Sequence, residues 1–229
     1  MTIYNYTKKE DSVIQASMLS KSEISYLNTI GTAFGGGRIL ELGCWLGSST
    51  RCFLDKLTNG ELHTCDLFKW REPYMTNAYP GKCPYKEGDS FLDEWKRNVD
   101  WQQPNHYVHP AGIEMIDWCY GQIDVLFIDA HKTWHIAKAS FPKFLPSMVP
   151  GSLIIDQDFG WLPFQYVYSY LTYWRLREYL KPTTKVGTTA VFEVQKVIPF
   201  EMVEYATNYR QTTAQEILCA LHTFHVILR

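Results

Sequence analysis

Arg38-Ile39-Leu40-Glu41-Leu42-Gly43-Cys44-Trp45-Leu46-Gly47-Ser48-Ser49-Thr50 decides how this 229-residue chain is read. Ile39, Leu40 and Leu42 lie in an apolar run that predicts a buried strand. Gly43 ends the run, a short turn leads to Gly47, and Ser48 and Ser49 open an amphipathic helix. Glycine permits the tight turn and lets a ligand approach bare backbone. The helix start adds free N–H groups and a positive dipole end. The segment is a cradle for a small anionic group.

The glycine spacing narrows the choice of anion. A dinucleotide fingerprint needs G-x-G-x-x-G to bring backbone against a pyrophosphate. Here the pattern is Glu41-x-Gly43-x-x-x-Gly47, and Trp45 stands where the second dinucleotide glycine belongs. A bulky indole obstructs a pyrophosphate. The stretch resembles the first motif of the class I S-adenosylmethionine-dependent methyltransferases, whose ligand offers an amino-acid carboxylate and ammonium. It is similar to the Glu-x-Gly-x-(aromatic)-x-Gly-x-Ser version of small-molecule O-methyltransferases. The resemblance implies that Glu41, Gly43, Trp45, Gly47 and Ser49 hold the methionine end of S-adenosyl-L-methionine. A glycine-bearing strand-to-helix turn in another α/β protein is the competing reading.

Glu61-Leu62-His63-Thr64-Cys65 reads as the next strand, ending at Asp66 about 20 residues beyond the glycines, where a βαβ unit carries its ribose-binding acid. An ionised carboxylate accepts from both hydroxyls of a ribose diol. An ordinary strand-end or helix-capping acid is the alternative, and the register with Gly43 favours the ribose role.

Composition sets the bounds. The chain is long enough for one three-layered domain and short for two. At 46% hydrophobic and 20% charged residues it is globular in character, not disordered. The formal net charge is −2, and no run of five basic residues occurs, which argues against a nucleic-acid substrate. No apolar run reaches the length of a membrane span, and the N-terminus lacks the apolar core of a signal peptide. The six cysteines include no C-x-x-C pair, so structural zinc is disfavoured and a reduced, cytoplasmic setting is expected.

Along the chain, Ser20-Lys21-Ser22-Glu23 is a capping box that starts a short helix with Ile24, Leu27 and Ile30 on one stripe, ending at Gly31. Residues 67–88 are rich in proline, glycine and aromatics. A connection that long, leaving the carboxyl end of a strand, is read as a substrate-facing insertion or as an excursion packed on its own aromatics. Asp89-Ser90 is expected to cap the next helix. Tyr107–His109 reads as a third strand, and the following Pro110-Ala111-Gly112 is a candidate adenine-side loop, with Gly112 against the cofactor. Buried strands are expected at Ile123–Ile128 and Gly151–Ile155, with a helix from Trp134 to the Pro142–Pro146 region between them. Tyr166–Leu180 is expected as an aromatic helix and Thr189–Val197 as a late strand paired antiparallel with Thr184–Val186. A last helix is expected over Thr213–His225. Strands alternating with helices predict an α/β fold with a doubly wound, mostly parallel sheet. The resemblance makes it a seven-stranded, Rossmann-like methyltransferase sheet with helices on both faces. The chain is read as one domain, 1–229, with an N-terminal helical extension over about 1–34.

Two strand ends are the places to look for chemistry. Asp129-Ala130-His131-Lys132 resembles the Asp-x-x-Lys segment of the catechol and caffeoyl-coenzyme-A type O-methyltransferases. The resemblance implies that Asp129 binds a divalent metal and that Lys132 is the general base. His131 is the competing base. His131 and His135 lie four apart, so one helical face could present both, but Lys132 replaces the glutamate that H-E-x-x-H zinc chemistry needs. At the second end, Asp156-Gln157-Asp158-Phe159 departs from the Asp-Asn or Asp-Asp of the metal-dependent relatives. Counted from Gly151, Gln157 takes the first ligand position and Asp158 the second; a strand one residue shorter gives Asp156 and Gln157. Asp158-Phe159 matches the Asp-(Tyr/Phe) ending of macrolide-sugar O-methyltransferases, which favours Asp158. With Asp129 these supply hard oxygen donors suited to Mg²⁺ or another divalent cation. The expected activity is O-methylation of a small hydroxylated acceptor, a sugar or secondary metabolite. No nucleic-acid or membrane partner is expected, and a homo-oligomer is compatible with the sequence. A metal-independent enzyme with a histidine base and a diverged, non-catalytic cofactor-binding relative are the alternatives.

Overall fold

The computed structural model describes residues 6–7, 14–15, 17–131, 133–159 and 165–208, with 213, 215, 218, 219 and 222 beyond them. In chain order the strands are β1 (Tyr6–Thr7), β2 (Ile14–Gln15), β3 (Arg38–Leu42), β4 (Glu61–Cys65), β5 (His106–His109), β6 (Ile123–Ile128), β7 (Met148–Asp156), β8 (Leu180–Val186) and β9 (Thr189–Val194). The helices are α1 (Lys21–Phe34), α2 (Ser48–Leu54), α3 (Tyr74–Ala78), α4 (Leu92–Asn98), α5 (Trp134–Phe144), α6 (Gln165–Arg175) and α7 (Phe200–Asn208). The helix expected over Thr213–His225 lies mostly outside the described residues.

Seven strands form the main sheet in the order β5-β4-β3-β6-β7-β9-β8, while β1 and β2 pair with each other alone. Strands β3 to β7 run parallel, and the β8–β9 hairpin joins antiparallel through β9. The central parallel strands β3, β4 and β6 are buried on both faces, while β5 lies at the edge and is partly exposed. Successive side chains go to opposite faces. Ile39, Leu62, Val125 and Phe127 pack with Leu27, Phe53 and Trp95, from α1, α2 and α4. Leu40, Leu126 and Ile154 pack with Phe141, Trp174 and Val203, from α5, α6 and α7.

Four local expectations are corrected. Helix α1 does not stop at Gly31 but runs to Phe34, because Gly31 serves a crossing: a Cβ there would clash with the Cys52 carbonyl of α2. The box of Ser20 and Glu23 does start it. Asp89 does not cap α4; its carboxylate closes the preceding loop by accepting from Lys86 N–H at 2.8 Å, and Ser90 Oγ accepts from Leu92 N–H at 3.4 Å. Helix α6 ends at Arg175, not Leu180. Glu178 takes a left-handed φ of 62°, and Tyr179 N–H folds back on the Trp174 carbonyl, freeing Leu180 to begin β8. The N-terminal extension carries the β1–β2 pair besides its helix.

The insertion over 67–88 is packed from within. Trp70 is fully buried, stacks on Tyr85 at 4.9 Å and meets Tyr79 and Phe91 edge-on. Burying side chains of this size contributes on the order of 2 kcal/mol each, so the segment is anchored by its own aromatics along with Phe68 and Trp95.

The register lines up the carboxyl ends of the parallel strands. Leu42 lies opposite Cys65 and Ile128, Cys65 opposite His109, and Ile128 opposite Asp156. The next residues, Gly43, Asp66, Asp129 and Gln157, therefore share one edge. The chain winds outward from β3 through β4 to β5 and then returns to β6 beside β3. That reversal is the place where open α/β sheets bind ligands.

Candidate active site

The glycine turn is held open by backbone conformation and by one carboxylate. Gly43 and Gly47 have φ of 87° and 96°, and Trp45 has 41°. A Cβ on Gly43 would lie 2.8 Å from Ala130 Cβ, so the turn after β3 touches the turn after β6 and only glycine fits. Asp66 grips the same turn from the end of β4. Its Oδ2 accepts from Cys44 N–H at 2.9 Å and Trp45 N–H at 3.4 Å, and its Oδ1 accepts from Phe68 N–H at 2.7 Å. Burial raises the Asp66 pKa above the usual carboxylate value, and the N–H donors pull against that shift.

Glu41 lies beneath the turn, fully buried, where its carboxylate accepts from Ser49 Oγ, from Thr50 Oγ1 at 2.8 Å and from Thr64 Oγ1 at 3.0 Å. Burial lifts its pKa to about 7 despite the three hydroxyl donors. Glu41 and Ser49 thus bind each other and brace the helix start, a support that the motif did not reveal; Thr50 and Thr64 were not foreseen at all. Trp45 is buried against Trp70 with ring centroids 6.5 Å apart, and its indole N–H has no acceptor among the described residues.

Gly112 starts a short 3-10 turn, Ile113–Met115, past the end of β5. It follows His109, whose carbonyl accepts from Asp66 N–H at 3.3 Å, so the 110–112 loop and Asp66 flank the same end of the sheet. Behind that loop, His63 Nδ1 and His109 Nε2 lie 3.1 Å apart, and Glu61 Oε2 is 3.5 Å from His63 Nε2. Burial depresses the His63 pKa to about 4, opposed by Glu61.

The ends of β6 and β7 gather the second group. Asp129 N–H donates to the Leu42 carbonyl and Gln157 N–H to the Ile128 carbonyl, which sets both residues at the edge beside Gly43. The inward atom of the Gln157 amide lies 3.0 Å from Asp129 Oδ1 and 2.9 Å from Asp158 Oδ1. Asp156 is the last residue of β7, buried in register with Ile128 and Ala190. The trio that meets is therefore Asp129, Gln157 and Asp158. Among the described residues no three His, Cys, Asp or Glu side chains cluster as a metal site. Two carboxylates and an amide nevertheless make a hard-oxygen set once the amide presents its oxygen.

His131 is buried with its ring edge against Phe141, and its Nε2 lies 2.7 Å from Ser140 Oγ. It precedes Thr133, the N-cap of α5, while His135 is exposed within that helix; the two do not share a helical face. Lys132 lies outside the described residues.

Residues 40–159, more than half of the chain, match the family profile described as a methyltransferase domain. No curated protein sequence matches. Solved structures share the fold at low identity. The O-methyltransferase NovP has a TM-score of 0.58 at 13% identity, over 79% of this chain and 82% of that one. CalS11, a calicheamicin methyltransferase, gives 0.54 at 11%, over 75% and 77%. An O-methyltransferase from Bacillus cereus solved in complex with SAH gives 0.51 at 19%, over 78% and 82%. With its glycine turn and strand-end acids on that sheet, the chain belongs to the methyltransferase-domain family and is a class I S-adenosylmethionine-dependent methyltransferase.

Proposed function

We propose that this enzyme transfers the methyl group of S-adenosylmethionine to a hydroxyl of a small molecule, a sugar or secondary metabolite, with help from a divalent cation. The observation that carries the reading is the contact of Gly43 with Ala130, which joins the donor turn to the Asp129–Gln157–Asp158 group at adjacent strand ends. The neighbouring O-methyltransferase and calicheamicin methyltransferase structures support hydroxyl chemistry on small acceptors.

Methyl transfer from a sulfonium is an in-line displacement, so the protein must align acceptor and donor and exclude water. The turn from Gly43 to Gly47 would bind the amino-acid tail, Asp66 the ribose diol, and the 110–112 loop the adenine. Asp129, Asp158 and the Gln157 amide oxygen would hold the cation, which when bound lowers the pKa of an acceptor hydroxyl. Lys132, three residues after Asp129, is the proposed base. His131, engaged by Ser140, is assigned to positioning the β6–α5 turn.

The test is transfer of labelled methyl from S-adenosylmethionine to a panel of catechols and hydroxylated sugars, with and without chelator. Label in an ether product that disappears with chelator and returns with Mg²⁺ is the expected result. Transfer that survives chelation removes the cation. Tight cofactor binding with no transfer to any hydroxyl overturns the reading.

A further inference from the structure

Glu23 belongs to a capping box, yet its buried carboxylate serves two elements with its two oxygens. Oε2 accepts from Ser20 N–H at 2.8 Å and from Ser20 Oγ at 2.7 Å, within the start of α1. Oε1 accepts from Thr188 N–H and Thr188 Oγ1, each at 3.2 Å, and from Thr189 Oγ1 at 2.9 Å. A helix start needs only the first set. The second set ties down the turn between β8 and β9.

That turn is Gly187-Thr188, closed by Val186 opposite Thr189. A Cβ on Gly187 would lie 2.8 Å from the Glu23 carboxyl carbon, so the backbone of the turn rests directly on the acid. Strand β9 runs antiparallel to β7 with Ala190 opposite Asp156. Thr189 and Thr188 therefore pass the carboxyl end of β7 beside Gln157, whose outward amide atom lies 3.5 Å from Thr188 Oγ1. Strand β8 is the edge of the sheet. Pairing with β7 secures one side of the hairpin, and Glu23 secures its tip. The sheet order puts this tip on the far side of β6 from the strands that carry the glycine turn, Asp66 and the 110–112 loop. With the donor on β3, β4 and β5, an acceptor that attacks in line is left the β6, β7 and β9 side.

We propose that Glu23 is a positioning residue for the methyl acceptor: by gripping Thr188 and Thr189 it fixes the β8–β9 turn at the end of β7, and so fixes where the acceptor hydroxyl lies relative to the donor. Misplacing a reacting group by about 1 Å can cost on the order of a hundredfold in rate. A buried carboxylate with five donors is a stiff anchor against such a shift. This inference rests on the hydroxyl-transfer reading above and needs no cation.

The experiment uses the full chain and the acceptor methylated fastest in the panel of catechols and hydroxylated sugars. It measures kcat and acceptor KM, with melting temperature and calorimetric affinity for S-adenosylhomocysteine in parallel. Glu23→Ala is expected to raise acceptor KM roughly tenfold or more, while S-adenosylhomocysteine affinity keeps its native value. Thr189→Val removes one donor on the turn side and should raise acceptor KM about threefold; Thr189→Ser should match the native enzyme. Ser20→Ala strikes the helix side alone, so it lowers the melting temperature and leaves acceptor KM unchanged. If Glu23→Ala does not fold, the two Thr189 variants decide. An unchanged acceptor KM in folded Glu23→Ala or in Thr189→Val overturns the positioning role. So does an equal rise in Ser20→Ala, or a parallel loss of S-adenosylhomocysteine affinity, and in each case hydroxyl transfer stands. No transfer by the native chain to any member of the panel, with S-adenosylhomocysteine affinity intact, overturns both, and the methyltransferase assignment survives.

Discussion

Asp66 Oδ2 accepts the Cys44 N–H at 2.9 Å, tying the end of β4 to the turn that follows β3. The acid proposed to meet the ribose is thus also a clamp on Trp45, whose left-handed conformation lies in a region that L residues with large side chains avoid. The proposed ribose acid and the clamp on the turn are one carboxylate.

Asp66→Ala removes the acceptor for three backbone N–H groups. Hydrogen bonds to charged groups contribute roughly 1.5–3 kcal/mol each. The expected result is a loss of S-adenosylmethionine affinity of tenfold or more by calorimetry, together with a lower melting temperature. Affinity equal to the native protein would remove Asp66 from the cofactor site.

Gly43→Ala meets two obstacles, the positive φ and the 2.8 Å approach to Ala130. Left-handed backbone alone costs an alanine about 1–2 kcal/mol. The substitution should lower the melting temperature by several degrees. Adding Ala130→Gly should recover only the part of the steric cost due to the Ala130 Cβ, since the Asp129 carbonyl carbon and the Ala130 nitrogen still stand 3.1 and 3.2 Å from the new Cβ, and full recovery in the double variant would show the φ penalty to be absent.

Two buried groups tilt the pH dependence of stability in opposite directions. The folded pKa of Glu41 is raised from 4.5 to about 7, so its contribution is complete below pH 4.5 and is lost as pH climbs to 7. The folded pKa of His63 is depressed from 6.5 to about 4, so its contribution is complete above pH 6.5 and is lost as pH falls toward 4. Urea midpoints between pH 4.5 and 7 should therefore rise more steeply with pH in Glu41→Gln than in the native protein, and less steeply in His63→Gln. Parallel curves for all three proteins would refute both assignments.

Ser140→Ala leaves the His131 Nε2 without its 2.7 Å partner. A buried polar group deprived of its partner costs about 1–3 kcal/mol. The melting temperature should fall while the pH profile of kcat keeps its shape. A shifted acidic limb would return the role of base to His131.

The local signals in the sequence were strong where one short segment carries all the physics. The alternation of apolar strands with helices, the glycine turn and the capping box of Ser20 and Glu23 depend on neighbours within a few residues, and they set the doubly wound sheet and the turn at the end of β3. Boundaries failed where a distant contact intervened. Gly31 looked like a helix stop because its packing against Cys52 is invisible along the chain, and Asp89 looked like a cap because the loop it closes cannot be seen from its spacing.

Side-chain partnerships at the site came from the topology. Glu41 could be recognised as a motif residue, but its three hydroxyl partners come from α2 and β4. Glu23 was legible as half of a capping box, yet its other carboxylate oxygen reaches Thr188, 165 positions away. Whether Asp156 or Asp158 joins Asp129 depended on where β7 ends against β6, a register fixed by hydrogen bonds between strands. Periodicity reports which face of an element is buried; which polar groups then meet is a property of how the elements are stacked, because a hydrogen bond is directional and short while sequence separation carries no distance.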